Sequence, residues 1–191
     1  RSMTKWRLEA SSDGVIAIIN TIMVLELRAP HGAGFDTLVP LLPKFLSYVL
    51  SFVYVAIYWN NHHHLLHASE QINGRIMWAN LHLLFWLSLV PFATAWMGEN
   101  HVSPIPTALY GVVLLLTAIA WLILQTALLR AHGPRSRLSE ALSDDLKGKI
   151  SAALYVAAIP LAFVHQLLAV SLYVIVAVMW LVPDRRIESR V

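Results

Sequence analysis

From residue 13 to residue 182 the chain is a succession of apolar segments separated only by short polar stretches. That pattern limits the fold more than any motif does. A bilayer core of roughly 30 Å takes about 20 apolar residues per helix, within a range near 17–25. Six segments fit, at about residues 5–28, 38–62, 74–98, 105–130, 147–164 and 167–183. The sequence therefore reads as all-α: a polytopic membrane protein with one domain over residues 1–191 and six transmembrane helices per subunit. Only 13% of the residues are charged, against 58% hydrophobic. A soluble domain carries roughly 25% charged residues, so much of this surface is expected to face the lipid bilayer. Arg1 and Ser2 precede Met3, which reads as the natural start.

The last apolar run, from Ile150 to Val182, is too long for one helix of ordinary tilt and short for two. We divide it near His165–Gln166. The alternative is one long tilted helix, which would put the termini on opposite sides. Charge favours the division. With six crossings, twelve of the fourteen Lys and Arg residues fall on one side, leaving only Arg28 and Lys44 on the other. Basic loops stay inside, so both termini are expected in the cytoplasm and the protein in the cell membrane. The same placement argues against nucleic acid as a partner, because the basic residues cap apolar segments.

Enzyme chemistry finds no support. There is no HExxH, no GxSxG, no phosphate-binding glycine loop and no cysteine. His62, His63, His64 and His67 form a run in which His63 and His67 share a helix face and could ligate a metal. Glu70 is the one acidic neighbour, so hydrogen bonding to adjacent helices is the plainer reading, and no metal site or cofactor is assigned. A histidine-based metal-handling protein or a small secondary transporter are the alternative functions.

The first span is the most informative. At about 100° per residue, Asp13, Ala17, Asn20, Val24 and Leu27 share one narrow stripe. Polar groups within a span face protein or water, so the stripe suits a packing face and a pore face equally. Ser11, Ser12 and Asp13 also suit a helix start. At the far end, Glu26 either attracts cations at a pore mouth or pairs with Arg28 or Lys44. Trp6, Trp59, Trp96 and Trp180 fall near expected interfaces, where tryptophan anchors.

The stretch Arg7-Leu8-Glu9-Ala10-Ser11-Ser12-Asp13 resembles the signature of the lysosomal potassium channel family, transmembrane protein 175, and its bacterial relatives. That signature is Arg, three residues, Phe, Ser, Asp; Ser11 stands in place of the phenylalanine. Similar matches occur in order at Asp13–Ile18, Val24–Leu27, Tyr58-Trp59, Asn61–His64, Asn80-Leu81, Ser88–Phe92, Ala108–Gly111 and Pro183-Asp184. The resemblance implies a homotetramer passing potassium and other monovalent cations, with four copies of helix 1 lining a central pore. It implies a side-chain constriction on helix 1 instead of a carbonyl filter; no TVGYG-like segment is present. By analogy the constriction is Asn20, Val24 and Leu27. The signature network is Arg7, Ser12 and Asp13 with histidines among His62, His63, His64, His67 and His82. The family has isoleucine or leucine where this chain has Asn20, which reads as a pore-constriction variant, engineered or natural. Such a variant should discriminate less between potassium and sodium, because an aliphatic ring dehydrates ions and an amide does not.

Overall fold

The computed structural model describes residues 5–69, 72–132 and 145–181. The start at Met3, Glu70, the arginines after residue 133 and the Pro183-Asp184 match lie outside them. Among the described residues there are seven α-helices and no strands. They are α1 (Lys5–Leu25), α2 (Leu42–His67), α3 (Gly74–Ser88), α4 (Val90–Glu99), α5 (Pro104–His132), α6 (Leu146–Val164) and α7 (Gln166–Leu181). Two 3₁₀ turns, Phe35–Thr37 and Val39–Leu41, lead into α2.

Proline sets several of these limits. α1 stops at Leu25, short of the expected residue 28: the Leu27 amide already bonds to the Val24 carbonyl, three residues back, and Pro30 cannot extend the helix. Leu27 therefore lies in the turn after α1 and not on its stripe. Pro40 and Pro43 hold residues 38–41 outside the regular helix, so α2 begins at Leu42. It then runs to His67, five residues past the expected end at 62, taking in the whole histidine run. The span expected at 74–98 is two helices. They part at Leu89, because Pro91 supplies no amide to the turn before it.

The last apolar run also breaks. His165 is extended (φ −156°, ψ 102°), and α7 folds back along α6, so Trp180 Nε1 donates to Ser151 Oγ at 2.8 Å. At 1.5 Å per residue the two helices are about 28 Å and 24 Å long. By length and composition, five segments could cross a membrane: Lys5–Leu25, Phe35–His67, Gly74–Glu99, Pro104–His132 and Leu146–Val164. Gln166–Leu181 is a shorter apolar helix of the same bundle.

Packing is tightest where tyrosines bridge helices. Tyr110 on α5 bonds Ser51 on α2 at 2.9 Å, and Thr94 on α4 donates to the same Ser51 hydroxyl at 2.6 Å. Tyr173 on α7 donates to the Thr107 carbonyl at 3.0 Å. Each hydroxyl is buried and paired, as an apolar interior requires.

Candidate pore helix and its anchoring network

α1 has a packed face and an uncovered one. Leu8, Ser12, Ile16, Ile19 and Met23 are buried, at the spacing of three and four that marks one helix face. At its centre is a polar lock. Ser12 Oγ donates to the Leu8 carbonyl at 2.8 Å and accepts from Asn80 Nδ2 at 2.9 Å. Asn80 Oδ1 lies 2.6 Å from His62 Nε2. An amide oxygen only accepts, so His62 carries its proton on Nε2. His62 and Asn80 are 2% and 1% exposed. One chain of bonds thus joins α1, α2 and α3 and fixes how α1 is rotated about its axis.

Only Ser12 and His62 of the expected signature network take part. The reason is helical geometry: His62, His63 and His64 project about 100° apart, so one can enter the core while its neighbours stay at the rim. His63 stacks between Trp59 and His67, with ring centroids at 6.2 and 6.0 Å, and meets His64 edge-on. His82 accepts from Trp86 Nε1 on its own helix at 2.9 Å. Asp13 Oδ1 accepts from Trp59 Nε1 at 3.0 Å, and Lys5 Nζ donates to the His67 carbonyl at 2.7 Å. These are two further ties between α1 and α2. Arg7 is exposed and has no partner among the described residues. Among the described residues no three His, Asp or Glu side chains converge to hold a metal ion.

The hub, Asn80, was absent from the sequence-derived site. Its signal was available: an amide inside an apolar span must find a partner.

The stripe of Asp13, Ala17, Asn20 and Val24 flanks the packed face. Asp13, Ala17 and Val24 are exposed and Asn20 is half-buried; Val24 retains 45% of its surface. Asn20 Oδ1 is shut off from solvent and has no hydrogen-bond partner among the described residues. Thr21, beside them, is exposed and donates to the Ala17 carbonyl. Glu26 does not pair with Lys44. The start of α2 packs against the end of α4, where Gly98 lets the backbones approach, so Lys44 Nζ meets Glu99 Oε1 at 2.8 Å. That is the one salt bridge among the described residues.

A bundle of long apolar helices, with its polar groups paired across helix seams and its outer faces apolar, is a multi-pass membrane protein. Comparison with known proteins narrows this. The family described as "Endosomal/lysosomal potassium channel TMEM175" matches residues 7–91. A potassium channel of Chryseobacterium sp. (strain P1-3) is 53% identical over 187 residues, covering 98% of this chain and 97% of that protein. A potassium channel of Streptomyces collinus is 29% identical over 182 residues, covering 90% and 88%. The crystal structure of a lysosomal potassium-selective channel TMEM175 homolog from Chamaesiphon minutus superposes with TM-score 0.80 at 26% identity, covering 92% of this chain and 95% of that one. The chain belongs to the TMEM175 family, a family of ion channels and not of enzymes.

Proposed function

We infer that this chain forms a potassium-permeable channel, a tetramer of identical subunits in which four α1 helices surround a central pore. Family membership supports potassium as the permeant ion, with no cofactor needed for passive conduction. The observation that supports α1 as the pore helix is its two-faced environment. The Ser12–Asn80–His62 lock holds one side rigidly to the bundle, while Ala17, Thr21 and Val24 are left uncovered by the subunit itself. One α1 cannot enclose a water path, so other copies must.

In this reading Asn20 and Val24 narrow the pore from α1, Leu27 adds to the constriction from the turn beyond the helix, and Glu26 stands at the outer mouth. Ser12, Asp13 and His62 steady α1 at its cytoplasmic end, while Arg7 stands exposed beside them. The His165 break supports six crossings with both termini in the cytoplasm, since α6 and α7 then each traverse the bilayer in opposite directions. A ring of isoleucines at position 20 would force dehydration; the Asn20 amide, whose Oδ1 the subunit itself covers, would have to turn outward to offer its carbonyl to a passing ion.

Purified protein in planar bilayers, with potassium and sodium on opposite sides, tests the reading. Potassium current is expected, with a lower potassium-to-sodium permeability ratio than in Asn20→Ile. Absence of current would overturn the channel; equal ratios in the two forms would remove Asn20 from the constriction.

A further inference from the structure

A wide groove of about 1160 Å³ opens between the start of α3 and the end of α5, away from the α1 lock. Its lining follows two helical stripes. Arg75, Trp78 and His82 line it from α3; Ile119, Ile123 and Arg130 line it from α5. Spacings of three and four on α3, and of four and seven on α5, put those side chains on facing surfaces. α3 begins and α5 ends at the same end of the bundle, so Arg75 and Arg130 both sit at the groove's mouth. Neither has an ion-pair partner among the described residues. From Arg130 down to Ile119 is eleven residues, about 16 Å along the helix. The lower wall there is aliphatic.

We propose that this groove binds an anionic phospholipid, with the phosphate between Arg75 and Arg130 and the upper acyl chain against Ile119 and Ile123. Two guanidinium groups at one mouth match a phosphate, to which arginine donates through paired N–H groups. Basic pockets between transmembrane helices hold such headgroups. Trp78, 75% exposed beside Arg75, sits where tryptophan rings lie at headgroup level. A free phosphate would use the mouth alone. The aliphatic Ile119, Leu122 and Ile123 further down select a molecule with a tail.

Native mass spectrometry of the purified protein, titrated with phosphatidylglycerol, phosphatidylcholine or glycerol 3-phosphate, tests this without reference to conduction. Phosphatidylglycerol adducts are expected to survive where phosphatidylcholine adducts do not. Apparent affinity should fall about fivefold for each of Arg75→Gln and Arg130→Gln, and should fall less in the Arg75→Lys, Arg130→Lys pair, which keeps the charge, loses the paired N–H geometry and guards against a folding defect. Equal phosphatidylglycerol retention by the double glutamine variant would overturn the proposal. Competition by glycerol 3-phosphate at equal concentration would assign the mouth to free phosphate and overturn it too. Loss of subunit assembly in the double variant, with lipid retention per chain unchanged, would make the groove a subunit seam and likewise refute lipid binding.

Discussion

Asn80 Nδ2 donates to Ser12 Oγ across 2.9 Å, although the two residues stand 68 positions apart and on different helices. The bond matters because Asn80 spends its other end on His62, so a single amide ties both α1 and α2 to α3. Replacing Asn80 by leucine would leave the His62 N–H buried without an acceptor, at about 1–3 kcal/mol. Ser12→Ala likewise strands the buried Asn80 N–H, at about 1–3 kcal/mol. Thermal unfolding in detergent should show both losses. A double variant whose loss equals the sum of the singles would show that the two residues do not act as one unit.

If Val24 narrows the pore, Val24→Ala widens the apolar ring and makes dewetting harder. Single-channel conductance should rise, and selectivity for potassium over sodium should fall. Conductance identical to that of the parent protein would place Val24 against lipid.

Gly111 on α5 lies against Tyr173 of α7: a Cβ there would collide with the Tyr173 hydroxyl. Gly111→Ala should displace Tyr173 from the Thr107 carbonyl and cost about 1–3 kcal/mol by overpacking. Tyr173→Phe, which removes the bond without the collision, should cost less. Equal losses in melting temperature would mean that the hydrogen bond, not the space, is what matters.

The absence of cysteine makes sidedness directly measurable. Lys149 at the start of α6 and His165 at the α6–α7 corner are both exposed. In intact cells, a membrane-impermeant maleimide should label His165→Cys and spare Lys149→Cys until the membrane is opened. Labelling of both from outside would mean that α6 and α7 do not traverse the bilayer as a hairpin.

The apolar helical bundle was legible in the residues because span length and apolar content belong to each segment separately. The chain break at His165 and the one ahead of Pro91 lie where polar residues and a proline interrupt such segments. Less legible were the helix limits around residue 25 and residues 38–42. There 3₁₀ turns and proline spacing shorten regular helix, and the periodicity of side chains is blind to that.

Partner choice among polar groups was legible only in part: the resemblance grouped Ser12 with His62, and the amide of Asn80 that joins them came from the structure. Four histidines crowd residues 62–67, yet only His62 enters the core; Lys44, a candidate partner for Glu26, meets Glu99 instead.

By itself, then, the sequence determined that this chain is a set of membrane-length apolar helices, because a bilayer demands local satisfaction of every backbone group. Only the tertiary structure decided which amide, hydroxyl and imidazole meet. That depends on how each helix is rotated and staggered against its neighbours, a property of pairs of helices that no single segment carries.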